Sequence, residues 1–113
     1  MKAFVVVPKP APHIQQIFAE AGKDPKGKRG FVQSTDKLPE DILKKLKEHA
    51  IYLSGLKNVG KLLFAGVTDD FMDAIIVYAA ESLEEAKNLA EGDPFIKSGL
   101  FTSYQIKALY HWL

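Results

Sequence analysis

The chain has no cysteine among its 113 residues, which excludes disulfide bonds, thiolate metal ligands and cysteine nucleophiles. It also lacks an excess of charge of either sign, since 15 basic and 14 acidic residues give a net charge of +1. This balance gives no electrostatic reason to bind nucleic acid or an anionic membrane. No apolar run approaches the roughly 20 residues of a membrane-spanning helix, and the short N-terminal run ends at Pro8 before it could form a signal-peptide core. We therefore expect a cytoplasmic protein without nucleic-acid or membrane partners.

The composition that remains is typical of a globular protein, with 47% apolar and 26% charged residues. A chain of this length suits one domain, and we expect a single domain over residues 1–113. The stretch Gly22–Gly30 (GKDPKGKRG) is a basic, loop-like cluster. It lacks the spacing of a phosphate-binding loop, which favours a solvated surface loop.

Apolar periodicity predicts four strands and several helices. A short helix is indicated by Ile14, Ile17, Phe18 and Ala21, which recur at helical spacing. A long helix is predicted to begin near Pro39, a residue suited to a first turn, and to end at Gly55 or Gly60. The predicted strands are Ala3–Val7, Lys61–Gly66, Met72–Ala80 and Phe101–Trp112, and Thr68, Asp69 and Asp70 form a turn between the middle two.

A further helix is predicted after residue 82. The sequence Ser82-Leu83-Glu84-Glu85 has the pattern of a capping box, in which the Ser82 hydroxyl accepts a hydrogen bond from the Glu85 amide. Gly92 is predicted to end this helix in the left-handed conformation. The stripe predicted to be buried consists of Leu83, Ala86, Leu89 and Ala90.

The core order of strand, helix, strand, strand, helix, strand predicts an α+β protein with a ferredoxin-like βαββαβ sheet and both helices on one face. The predicted strands carry large apolar residues toward the helix-free face as well, where a solvated sheet would be polar. A second copy of the same sheet would cover that face. The sequence therefore predicts a homodimer joined through its sheet faces.

Two residues are candidates for chemistry. His49 falls in the middle of the apolar stripe of the long helix, among Ile42, Leu53 and Leu56. A buried imidazole needs a partner, so His49 is either a packed structural histidine or a general acid or base.

Asp93 stands directly before Pro94, the order of a helix N-cap followed by proline at the first helical position. It is therefore either a capping residue or a carboxylate placed for chemistry. We expect it to do both, capping the turn while orienting the His49 imidazole.

Other groups of residues give weaker evidence for a metal site or a nucleophile. His13, His49 and His111 have no metal-ligand spacing with nearby carboxylates, so we expect no metal site. The serines lack the setting of a nucleophile elbow.

The segments FVVVPKPAP at residues 4–12, GKLLFAG at 60–66 and AESLEEAKNLAEGDPFIKSGLF at 80–101, with His49 upstream, resemble the YCII-related domain family. The resemblance implies a dimeric α/β barrel built on the ferredoxin-like fold, and an active-site pair at His49 and Asp93. The superfamily includes a dehydrochlorinase of aromatic breakdown, and muconolactone isomerases share the barrel. The family often has Gly-Pro where this chain has Gly66-Val67, and Asp-Gly in place of Asp70-Phe71, which leaves the rim of the pocket and the substrate open.

Together, the residues and the resemblance predict a small cofactor-independent enzyme of isomerase or lyase (dehydrochlorinase) type. His49 would move a proton on a small aromatic or cyclic oxygenated compound, and Asp93 would orient it. The alternative is a non-catalytic dimeric module that binds a small ligand or a protein. The side chains expected to bind the substrate are Tyr52, Phe64 and Phe95.

Overall fold

The computed structural model describes residues 1–21, 38–68 and 73–110. The strands are β1 (Lys2–Pro10), β2 (Leu62–Val67), β3 (Ala74–Ala80) and β4 (Phe101–Ala108), and the helices are α1 (Pro12–Ala21), α2 (Glu40–Asn58), α3 (Leu83–Glu91) and α4 (Pro94–Lys97). The strands form one four-stranded antiparallel sheet with the order β2-β3-β1-β4. With helices between β1 and β2 and between β3 and β4, this order confirms the predicted ferredoxin-like βαββαβ fold.

Three sequence predictions fall outside the described residues. They concern the basic stretch Gly22–Gly30, the turn residues Asp69 and Asp70, and the predicted strand start at Met72. The prediction that the last strand continues to Trp112 is wrong, since β4 ends at Ala108, where its pairing with β1 ends opposite Phe4. None of the helices in the described part of the chain is long and apolar enough to cross a membrane.

The central strand β1 tolerates prolines because only one of its two neighbours continues along its C-terminal half. β3 pairs with β1 from Lys2 to Val6, whereas β4 pairs with it as far as Pro10. Pro8 and Pro10 therefore lie where β1 has lost its β3 partner, and the missing amide protons leave no ladder bond unmade on that side.

The core lies between one face of the sheet and the helices α2 and α3. Val6, Ile76 and Tyr78 of the sheet pack with Leu53 of α2 and Ala90 of α3. Phe4 and Ala80 extend this core toward Ala86 of α3. Since these strand residues alternate with others that point the opposite way, α2 and α3 occupy the same face of the sheet, as predicted.

The long helix α2 begins directly after Pro39 and ends at Asn58. Of the two predicted ends, Gly60 is the correct one, with a left-handed φ of 76°, whereas Gly55 lies inside the helix. α1 packs beside the start of α2 through a separate apolar cluster of Ala11, Ile14, Leu38 and Ile42.

The capping box at the start of α3 is present. The Ser82 hydroxyl accepts a hydrogen bond from the Glu85 amide at 3.1 Å, and the Glu85 carboxylate accepts one from the Glu81 amide at 3.2 Å. The prediction that Leu83 is buried is wrong, since this residue is 45% exposed. Ala86 and Ala90 are small enough to bring the helix against the sheet, and the first residue of the helix lies outside that contact.

The predicted left-handed conformation of Gly92 is also wrong. Its φ of −76° and ψ of −14° are right-handed, because the chain turns from α3 into α4 without reversing its helical sense. The reason for a glycine here is space. A Cβ at this position would collide with the Tyr52 hydroxyl and would lie 3.0 Å from Tyr52 Cζ.

The helix-free face of the sheet carries apolar side chains, as the sequence predicted. Phe64 pairs with Val77, and Val77 pairs with Val5, so the three share the face opposite to Tyr78. On this face Phe64 is 57% exposed and Ile75 is 41% exposed. We call Val5, Val7, Phe64, Ile75 and Val77 the open face.

Candidate active site

α2 brings His49 to the edge of the core. Ile42 and Leu53 on the same helix are buried, while the His49 side chain is 17% exposed. The His49 side chain is therefore largely covered by protein but is not fully buried.

The short helix α4 fixes the position of Asp93. Asp93 is its N-cap, Pro94 is at the first helical position, and the carboxylate Oδ1 accepts a hydrogen bond from the Phe95 amide at 2.9 Å. The Asp93 carbonyl accepts two more, from the Ile96 and Lys97 amides, each at 2.9 Å. The aspartate is fully buried, so the capping role expected from the Asp-Pro pair is present in a residue removed from solvent.

The same carboxylate contacts His49. The Nδ1 atom of His49 lies 2.8 Å from Oδ1 and 2.7 Å from Oδ2 of Asp93. An ionised carboxylate only accepts hydrogen bonds, so Nδ1 carries the proton and donates it. In neutral His49 the lone pair is then on Nε2, for which the described residues provide no hydrogen-bond partner.

Aromatic stacking fixes the plane of the imidazole. The His49 ring lies on Phe95 with centroids 4.7 Å apart and an interplanar angle of 14°. Phe95 is itself held edge-to-face by Phe101 at 5.0 Å. The stack holds the ring plane, and a half-turn of the imidazole about χ2 would break the Nδ1 contact with Asp93.

Two tyrosines surround the buried carboxylate. Tyr52, one turn after His49 on α2, donates its hydroxyl to the Leu89 carbonyl at 2.5 Å. Burial and, second, the charge of Asp93 raise the pKa of Tyr52. The pKa of Tyr78 is also raised, mainly by burial and further by Asp93 and Tyr52. The Tyr78 hydroxyl is buried and has no hydrogen-bond partner among the described residues.

The structure brings most of the sequence-predicted site residues together, with one exception. His49, Asp93 and Phe95 are in direct contact, and Tyr52 lies beside them. Phe64 lies on the open face, across the sheet from Tyr78 and the helices.

Sequence reasoning missed Tyr78 and the role of Gly92. The only polar side-chain group in the strand Ala74–Ala80 is the Tyr78 hydroxyl, and this could have marked Tyr78 as a candidate site residue. No local pattern could show that Gly92 faces a tyrosine on another helix.

The arrangement suits proton transfer at one atom. Nδ1 is occupied, the ring plane is fixed, and Nε2 is the nitrogen that remains for a bound molecule. No group of three metal-ligating side chains lies close enough to hold a metal ion in residues 1–21, 38–68 and 73–110.

The sequence model of the YCII-related domain matches residues 31–110. The chain belongs to the YCII-related domain family. The match spans α2 to β4, and so includes both His49 and Asp93. No curated protein sequence matches the chain.

Solved structures with the same fold include 5-chloro-2-hydroxyhydroquinone dehydrochlorinase (TftG) from Burkholderia phenoliruptrix AC1100, in complex with 2,5-dihydroxybenzoquinone. It is similar to this chain with a TM-score of 0.64 and 23% identity over 97% of this chain and 95% of that chain. Protein Atu4242 from Agrobacterium tumefaciens has a TM-score of 0.46 and 12% identity over 96% of this chain and 91% of that one. At 23% identity the dehydrochlorinase supports the fold of this chain.

Proposed function

We propose that this YCII-related protein is a cofactor-independent enzyme that moves a proton on a small aromatic or cyclic oxygenated compound, as an isomerase or a lyase of dehydrochlorinase type. The observation that carries the proposal is the His49–Asp93 contact, with Nδ1 at 2.7 and 2.8 Å from the two carboxylate oxygens. A buried carboxylate that orients a partly exposed imidazole is the arrangement of a general base held in one tautomer.

The chemistry would run through Nε2 of His49. Neutral His49 would accept a proton from the bound compound at Nε2, and Asp93 would stabilise the imidazolium that forms. In an isomerisation the imidazolium would return the proton to a different atom of the same molecule. In an elimination a chloride would leave with the electrons of its bond to carbon, while His49 would keep the proton until it passes to water. Neither route needs a metal or an organic cofactor.

The substrate class is supported by analogy. The dehydrochlorinase of the same fold was solved with 2,5-dihydroxybenzoquinone, a cyclic oxygenated compound. We extend that class of ligand to this protein.

The test is turnover of a panel of hydroxylated aromatic compounds with and without chlorine, including 5-chloro-2-hydroxyhydroquinone. Chloride release would report elimination, and incorporation of deuterium from heavy water would report reversible proton transfer. We expect at least one compound to react, with a loss of about 100-fold or more in His49→Gln, the usual contribution of a general base.

A compound that binds but shows neither chloride release nor deuterium incorporation would favour the alternative, a non-catalytic ligand-binding module. Circular dichroism of His49→Gln is the control for folding.

A further inference from the structure

We infer that Tyr52 is a positioning residue for the His49–Asp93 pair, because its hydroxyl fastens the last turn of α3 to α2. This inference rests on the proposed function of the pair and adds a residue that acts through it. It gives Tyr52 a structural task in place of the direct substrate contact expected from the sequence.

The first observation is that α2 holds the end of α3 at two points. His49 and Tyr52 are three residues apart, so they lie on the same side of α2, one turn from each other. His49 contacts Asp93, and Tyr52 donates to the Leu89 carbonyl in the last turn of α3 at 2.5 Å. Leu89 and Asp93 are four positions apart in sequence, and the stretch from one to the other includes the α3–α4 junction.

The second observation explains why the Leu89 carbonyl is available. In a continued α-helix it would accept the amide of Asp93, four residues later. The Asp93 amide instead donates to Ala90 at 3.1 Å, which tightens the turn and starts α4. The Tyr52 hydroxyl thus satisfies a carbonyl that the end of α3 leaves unpaired, and it does so at the turn that aims Asp93.

The third observation is independent of hydrogen bonding. Gly92 has an ordinary right-handed φ of −76°, so its backbone does not require a glycine. A Cβ there would overlap the Tyr52 hydroxyl and lie 3.0 Å from Cζ and 3.2 Å from Cε1. The residue directly before Asp93 therefore lacks a side chain where Tyr52 approaches the backbone.

Burial and the charge of Asp93, which both raise the pKa of Tyr52, keep this hydroxyl protonated and able to donate at neutral and moderately alkaline pH.

The experiment measures the pair itself by NMR of the protein labelled with ¹⁵N-histidine. The readouts are the exchange rate of the His49 Nδ1 proton with water and the ratio of the two ring tautomers. Tyr52→Phe keeps the ring and removes the donor, and we expect the Nδ1 proton to exchange about five-fold faster or more, the factor that corresponds to one lost hydrogen bond. An exchange rate and a tautomer ratio equal to those of the wild type would overturn the inference.

Tyr104→Phe is the matched control. The Tyr104 hydroxyl donates to the Glu91 carboxylate at 3.0 Å, so it also bonds the last turn of α3 but leaves the Leu89 carbonyl alone. We expect this variant to stay within about two-fold of the wild type. Equal effects of the two substitutions would contradict a specific role for Tyr52.

A second variant addresses the contact at Gly92. Gly92→Ala should speed Nδ1 exchange in the wild-type background, and its effect should be smaller with Tyr52→Phe, which removes the colliding oxygen. An effect that is the same in both backgrounds would contradict the inference.

Asp93→Asn separates the inference from the proposed function. If Asp93→Asn changes Nδ1 exchange and Tyr52→Phe does not, the pair exists and only the role of Tyr52 is wrong. If neither substitution changes it, the pair is absent in solution, and the proposed function fails together with the inference.

Discussion

At the scale of single residues, Asp93 combines two tasks in one buried side chain. Its Oδ1 atom accepts the Phe95 amide that begins α4, and both of its oxygens face Nδ1 of His49. A fully buried charge is stable only when it is paired and hydrogen-bonded. Capping and pairing therefore support each other, because each supplies part of what the buried carboxylate requires.

The two tasks can be separated by substitution. Asparagine caps a helix about as well as aspartate, so Asp93→Asn should keep α4, whereas Asp93→Ala should lose the cap and cost about 0.5–2 kcal/mol more in stability. Both should lower turnover by about 100-fold or more, because the neutral amide no longer stabilises the imidazolium. Urea unfolding and steady-state kinetics measure these effects. Full activity in Asp93→Asn would contradict the proposed role of the charge.

The Tyr78 hydroxyl, which has no hydrogen-bond partner within the described part of the chain, gives a second prediction. Removal of a buried hydroxyl that has no partner also removes its desolvation cost, so Tyr78→Phe should be as stable as the wild type at neutral pH or more stable by up to about 3 kcal/mol. Thermal and urea unfolding measure this. A loss of more than about 1 kcal/mol would mean that the hydroxyl has a partner in solution.

The raised pKa of Tyr78 sets the sign of its pH dependence. The unfolded tyrosine loses its proton near pH 10 while the folded one keeps it, so its contribution to stability is complete below about pH 10 and is lost as the pH rises further. Above that pH, Tyr78→Phe should lose stability more slowly than the wild type, by at most about 1.4 kcal/mol for each pH unit. Parallel curves for the two proteins above pH 10 would contradict the assignment.

The sequence could predict the His49–Asp93 contact because each residue showed a local reason to need it. An imidazole inside an apolar stripe needs a partner, and an aspartate before proline has a fixed backbone position with one carboxylate oxygen to spare. Nothing local predicts that the Tyr78 hydroxyl is buried without a partner among the described residues, since hydrogen-bond partners across a core depend on the packing of distant elements.

At the scale of elements, the junction between α3 and α4 sets the position of Asp93. α3 ends at Glu91, Asp93 caps α4, and only Gly92 and Asp93 separate the two helices. So short a connection leaves Asp93 little freedom relative to α3. The sequence predicted the start of α3 correctly because a capping box is local. The conformation of Gly92 was wrongly predicted because the glycine makes room for Tyr52, which is a tertiary contact, and does not serve a left-handed turn.

The start of α3 gives the prediction at this scale. Ser82→Ala removes the side chain that accepts the Glu85 amide and should cost about 1 kcal/mol in the free energy of unfolding, measured with urea. Ser54→Ala is the control, because Ser54 is exposed inside α2 and alanine is the better helix former there. We expect this control to be neutral or about 0.5 kcal/mol more stable. Equal losses in the two variants would count against the cap.

At the scale of the whole molecule, the open face is the feature that the described helices leave uncovered. Its centre is aliphatic and aromatic, and its β4 side is polar, with Gln105 opposite Val7 and Lys107 opposite Val5. A second copy related by a two-fold axis would bring apolar centre onto apolar centre. We therefore predict a homodimer through the open face, as the sequence suggested, with an interface of roughly 1,200–2,000 Å² in total.

Light scattering at micromolar concentration tests this prediction. Phe64→Lys places a charge within the open face and should give a monomer. Ile51→Lys is the control, since Ile51 is equally apolar and 73% exposed but lies on α2, and this variant should remain a dimer. A monomeric wild type, or a dimer that persists in Phe64→Lys, would contradict the predicted interface.

The central claim is that Nε2 of His49 contacts a small cyclic oxygenated ligand while Nδ1 is hydrogen-bonded to Asp93. The most direct measurement is a titration of the ¹⁵N-histidine-labelled protein with 2,5-dihydroxybenzoquinone, followed by ¹⁵N NMR of the three histidines. The account predicts a saturable shift of the His49 Nε2 resonance, weakened in Asp93→Asn, with His13 and His111 unchanged. No shift at His49 up to millimolar ligand, or equal shifts at all three histidines, would contradict it.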